Sequence, residues 1–135
     1  MNSDALISEW TLLQNQFDSY EKYSLVIKLT SLIIFSGAYM VNQIGWVLLV
    51  LLAAIWLQDA IWKTFQSRID IRLLLVETWI TENDYSQACQ FNRQFAQARL
   101  SGFALIKEYI KQAIRPTTAF LHAILCSLTL VLSLF

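Results

Sequence analysis

Two long apolar runs dominate the pattern of this chain. Residues 24–41 (SLVIKLTSLIIFSGAYMV) and 44–62 (IGWVLLVLLAAIWLQDAIW) are separated only by Asn42-Gln43, with Gly45 just after. Each is close to the roughly 20 predominantly apolar residues that a helix needs to cross a hydrocarbon core. They predict a tight helical hairpin of two spans. The rival reading, one tilted span over 29–57, would put Asn42 and Gln43 near the midplane of a segment roughly 45 Å long in a core of about 30 Å. A third apolar run, 116–135, opens with Arg115-Pro116, where proline suits a first helical turn and ends whatever precedes it. It predicts a third span.

Outside these runs the period is helical. Leu6, Trp10, Leu13, Phe17 and Tyr20 recur at 4,3,4,3 spacing after a Ser3 or Asp4 cap, so residues 1–23 read as an amphipathic helix feeding into the first span. Trp62, Phe65, Ile69, Leu73, Val76 and Ile80 carry the second span onward to about residue 81. Thr81-Glu82-Asn83-Asp84 stops it, and Tyr85, Ala88, Phe95 and Phe103 form a weaker stripe on the way back. Helical segments are expected over 84–114, returning from 84 to 100 and breaking at Ser101-Gly102. Beyond the break, Phe103, Ile106, Ile110 and Ile114 line one face of a short helix suited to a membrane interface. The expected fold is all-α: one polytopic membrane domain over 1–135, with three transmembrane helices and a helical bundle outside the bilayer.

Charge orients this architecture. All twenty charged side chains lie in 1–28 and 59–115, which leaves residues 29–58 and 116–135 without any. Under the hairpin reading the ten Lys and Arg fall on one side, and the positive-inside rule makes that side the cytoplasm. The N-terminus and the 63–115 connection are then inside, the 42–45 turn and the C-terminus outside, in a bacterial inner membrane or one like it. Tyr20, Tyr23 and Trp62 mark one interface, Tyr39 and Trp46 the other. Ten Asp and Glu balance the cations, so nothing draws the chain to nucleic acid. No basic segment precedes the first apolar run, so an uncleaved chain is expected. Cys89 and Cys126 are expected as free thiols.

Folding the hairpin about its turn brings Lys28 and Asp59 to the same depth, and His122 in the third span falls in the same layer, near Gln58 and Thr118. An ionisable side chain within a span is costly unless paired and marks a candidate site. In the third span Thr118, His122, Cys126, Thr129 and Ser133 share a helical face, suited to close helix packing or to lining a narrow path. A single histidine and no Cys/His cluster predict neither metal nor cofactor. With no phosphate loop, dinucleotide fingerprint or nucleophile elbow, no enzymatic activity is expected. The expected partners are the lipid bilayer and either a second copy or another membrane subunit, in a protein that acts by assembly. The alternative is a homo-oligomeric channel or membrane-disrupting effector lined by the third span and gated by Lys28, Asp59 and His122. In a background lacking the native cysteines, single cysteines at 2 and 43 test the hairpin with an impermeant thiol reagent on intact cells. Labelling at 43 and protection at 2 is expected; the opposite pattern would replace the hairpin by a single span.

Overall fold

The helices form where the apolar period set them. The computed structural model describes residues 2–134, arranged as α1 (Asn2–Met40), α2 (Trp46–Glu82), α3 (Phe91–Ala98), α4 (Phe103–Ile114) and α5 (Pro116–Leu132), with a short 3-10 turn at Tyr85–Gln87 between α2 and α3. Among the described residues there is no strand. Of these helices, α1 and α2 are each long and apolar enough to cross a membrane. The 17-residue α5 reaches that measure only together with α4, and the two are bent by 75° at the break between them.

The long helices end in the same device. Asn42 adopts the left-handed conformation at φ 53°, its N–H reaches Tyr39 O at 3.2 Å, and the Gln43 N–H reaches Ala38 O at 2.9 Å. These two bonds make a Schellman end, which satisfies carbonyls that the helix leaves open. At the far end of α2, Asn83 (φ 58°) donates to Ile80 O and Asp84 to Trp79 O. Asparagine serves in both places because its short polar side chain tolerates left-handed backbone better than most. The stop at Met40 and restart at Trp46 turn the chain back on itself, which excludes the single tilted span.

α1 and α2 pack antiparallel along a 4,3,4,3 seam. On α1 it runs through Leu6, Trp10, Leu13, Phe17, Tyr20, Ser24 and Ser31, and on α2 through Leu48, Leu52, Asp59, Gln66, Ile69, Leu73 and Val76. A contact repeat of 3.5 residues is the geometry of an antiparallel coiled-coil pair. At 1.5 Å per residue α1 is roughly 58 Å long, so a hydrocarbon core of about 30 Å would enclose only half of the hairpin.

Two apolar clusters occupy its ends. Leu48, Leu52 and Leu125 lie near the turn, with Ile34, Phe35 and Leu121 against them. Leu6, Leu13, Ile69, Leu73 and Val76 form the other, flanked by Trp10, Phe17, Tyr20 and Trp79. α5 begins with Pro116 at its first turn and lies chiefly against α2, running antiparallel to it: His122 meets Asp59, and Leu125 meets the Leu48–Leu52 cluster.

Two expectations change. Phe65 does not join the seam; it is 41% exposed, and Gln66 takes the buried position beside it. The return from 84 is α-helical only over Phe91–Ala98. Its first residues find partners elsewhere: the Cys89 N–H donates to Glu9 Oε2 at 2.7 Å, and Gln87 O accepts from Arg72. With those groups bonded to α1 and α2, and Cys89 at φ 60°, the backbone wraps the hairpin instead of coiling. The break before Phe103 falls at the expected Ser101-Gly102, with Gly102 at φ 56°.

Candidate functional site

Between the two apolar clusters the hairpin interior is polar. Asp59 sits at its centre, with no exposed side-chain surface, and receives donors from two other helices. From α1, Ser24 Oγ donates to Oδ1 at 2.5 Å, and Lys28 Nζ stands 3.7 Å from Oδ2 while donating to Ser24 Oγ at 3.2 Å. From α5, His122 Nε2 lies 3.2 Å from Oδ2. An ionised carboxylate only accepts, so Nε2 is the donor of this pair and Nδ1 points away from it. The indole of Trp56, one turn from Asp59 on α2, stacks on the imidazole with ring centres 6.2 Å apart and fixes its plane.

The structure thus places Lys28, Asp59 and His122 in one cluster. Lys28 is the only one of the three with an outlet, its side chain being 19% exposed, while His122 is 1% exposed. Gln58 faces outward and takes no part. On α5 the inward face consists of Thr118, His122, Leu125 and Thr129, all buried. Cys126 lies at the edge of this face, half-buried, and Ser133 is exposed at the helix end with its hydroxyl bonded to Leu130 O. Leu125 takes the central position because the face repeats at 4,3,4, one residue short of the spacing that would bring Cys126 inward.

Two buried atoms of this face, His122 Nδ1 and Thr118 Oγ1, have no hydrogen-bond partner among the described residues. They lie one helical turn apart. Chemically, the arrangement can hold a carboxylate and an imidazole in fixed orientation away from bulk water. Among the described residues, no group of three or more His, Cys, Asp or Glu side chains comes together as a metal site.

Further polar ties follow along α2. Lys63, only 8% exposed, donates to Glu21 Oε1 at 2.8 Å and to Gln66 Oε1 at 2.9 Å, and Gln66 Nε2 donates to the same Glu21 oxygen and to Phe17 O. Nearer the end of the hairpin, buried Arg72 binds Glu9, Gln94 and the carbonyl of Gln87, and its guanidinium lies 4.6 Å from the Trp79 ring centre. Sequence reasoning passed over Ser24 and Trp56 as well as these ties. Ser24 was readable, since it continues the 6, 10, 13, 17, 20 seam and precedes Lys28 by one turn. Glu9 and Arg72 carried no comparable signal.

Burial pushes the Glu21 carboxyl up, but the Lys63 and Gln66 hydrogen bonds, with the Lys63 charge, outweigh it and hold the group below its ordinary 4.5. A depressed carboxyl stabilises the fold above its unfolded value, and the contribution disappears as pH falls through the lower folded value. Glu21→Gln is therefore expected to lower the thermal midpoint in detergent at pH 7 and to approach the parent protein in acid, as pH falls through the lowered folded value and the parent loses the charge. A gap that persists unchanged into acid would contradict the ion-pair account. For the central cluster, removing one partner of a buried pair costs about 3–5 kcal/mol. Thermal unfolding is expected to rank Asp59→Ala as the most damaging, Asp59→Asn as intermediate because it keeps an acceptor, and Lys28→Met as the mildest because the lysine has a route to solvent. A midpoint for Asp59→Ala equal to the parent's would show that the clamp carries no weight.

Comparison with family models, with curated proteins and with solved structures finds no match.

Proposed function

We propose that the chain is an integral membrane protein that acts by assembly, a hairpin anchor whose charged end stands in the cytoplasm and docks a second copy or a dedicated membrane subunit. The observation that carries this reading is an uncovered apolar row on α2. Ile71, Leu74 and Leu75 are 61%, 58% and 41% exposed. Ile71 lies nine residues beyond the interfacial Trp62, roughly 13 Å further along the helix, which is past the headgroup layer. Water, not lipid, would face the row. Covering the exposed half of each such side chain is worth roughly 1 kcal/mol, so a partner surface over the row is favoured. Ile71 and Leu75 also border a cleft of about 400 Å³ against Phe91, Phe95 and Leu100, with room for a partner's side chains.

The polar interior supports the same reading. Asp59, Lys63 and Arg72 each have a partner of opposite charge within the chain, so the buried charges tie helices together and leave none aimed at a substrate. The channel reading has less to draw on: Thr118, His122 and Thr129 are turned into the protomer, and the exposed side of α5 carries Phe120, Ile124 and Leu128. A third span formed by α5, the cytoplasmic orientation and an inner-membrane location belong to this proposal.

Mass measurement in lipid nanodiscs tests it. The parent protein is expected as an oligomer or as a complex of fixed stoichiometry, and Ile71→Gln/Leu74→Gln is expected to release single protomers that keep the helical content of the parent and lose only the stability the partner supplied. A parent protein that is a lone monomer at every concentration would overturn the proposal.

A further inference from the structure

α4 carries a second uncovered surface, and its orientation identifies what covers it. At about 100° per residue, Phe103, Ile106, Ile110 and Ile114 share one side of the helix, and Phe103 is 91% exposed, the others 52%, 54% and 66%. The opposite side packs on the protein: Gln112 is buried, and Leu105, Glu108 and Tyr109 are half-buried. The apolar side therefore faces away from the helices that could have sheltered it.

The two edges of α4 differ in kind. One edge is pinned by Trp56, whose Nε1–H donates to Ala113 O at 3.0 Å. Trp56 lies six residues nearer the turn than Trp62, so this is the edge toward the bilayer interior. The other edge carries Lys107, Lys111 and Arg115 at spacing 4,4, all exposed. Lys111 lies with Glu108 beside Thr64, Ser67 and Arg68, on the charged side of the hairpin. Glu108 is the acidic group of this helix; it stands 3.7 Å from Lys111 Nζ and binds Gln112, and among the described residues no carboxylate lies within 4 Å of the Lys107 or Arg115 cation. The 75° bend from α5 lays α4 nearly in the membrane plane if α5 stands across it.

From these observations we infer that α4 is an in-plane helix that binds anionic phospholipid of the cytoplasmic leaflet. Phe103, Ile106, Ile110 and Ile114 enter the acyl region, and Lys107, Lys111 and Arg115 hold the phosphate-bearing headgroups. An apolar side bordered by a cationic edge at headgroup depth is the physical requirement for such binding. Arg115 also caps α5, so a headgroup held there would fix the joint between the two helices.

Native mass spectrometry of the full chain, released from nanodiscs of phosphatidylcholine with a defined share of phosphatidylglycerol, tests this. Phosphatidylglycerol is expected to be retained in preference to phosphatidylcholine. Lys107→Gln/Lys111→Gln should weaken that retention by roughly fivefold for each charge removed, while Arg93→Gln, an exposed cation on α3, should leave it unchanged. Should the double variant fail to fold, the parent protein exchanged at 0.1 and 1 M salt serves in its place, since screening must weaken a headgroup contact. Equal retention of the two lipids, insensitivity to salt, or an equal loss with Arg93→Gln would overturn the inference.

Discussion

A carboxylate placed in the middle of an apolar helix has to be satisfied, and the helices around Asp59 are arranged to do it. Its donors come from residues far apart in sequence: Ser24 and Lys28 on α1 and His122 on α5. Meeting them fixes where α1 stands against α2 and how deep α5 sits. A slide of α1 by one heptad would bring Phe17 or Ser31 opposite Asp59 and either Glu21 or Phe35 to the place of Lys28, leaving the carboxylate without its cation. Apolar seams alone do not resist such a slide, because Leu against Leu is nearly as good one heptad on. A buried polar group does, and the setting of register is its best-attested structural use.

The same logic repeats down the hairpin. Lys63 with Glu21, and Arg72 with Glu9, join α1 to α2 at later positions. Each pairing specifies the same antiparallel register, with residue numbers summing to 81–87 from Glu9–Arg72 to Lys28–Asp59. Apolar clusters at both ends supply burial, and the polar ties between them supply uniqueness. The two contributions are separable: the clusters hold the helices together, and the ties decide how.

The hairpin was legible because both of its signals are strong and agree. Charge-free length marks the spans, and the 4,3,4,3 period marks the packed face through Leu6, Leu13, Ile69 and Val76. Folding the numbering about Asn42 was enough to bring Lys28 and Asp59 to one depth, and counting from Arg115 brought His122 there. Ser24 was harder to see, since a hydroxyl in a helix can equally bond its own backbone, as Thr30 does to Val26 O. The segment 84–90 holds only a single 3-10 turn, Tyr85–Gln87, and not an α-helix, because the backbone at Gln87 and Cys89 is claimed by tertiary partners, Arg72 and Glu9, that lie far away in sequence. On α5, a list of polar residues spaced at 4,4,3,4 drifted off the true inward face and brought in Cys126 and Ser133 in place of Leu125.

The uncovered surfaces fall at two levels of the molecule, and the depth of each decides what can cover it. On the proposed placement, Ile71, Leu74 and Leu75 stand well past Trp62, beyond the reach of lipid, where another polypeptide would be needed to remove them from water. Phe103, Ile106, Ile110 and Ile114 are on a helix tied to Trp56; on the same placement this lies within the thickness of the bilayer edge, where lipid is present at high concentration and a protein partner would have to displace it. The two faces are therefore not interchangeable docking sites. α4 forms part of the cleft wall through Glu108 and Lys111, and α2 contributes Ile71 and Leu75 to the same cleft. Whatever sets the tilt of α4 thereby sets the width of the cleft beside the α2 row, so the proposed lipid contact and the proposed assembly contact would be coupled through a single short helix.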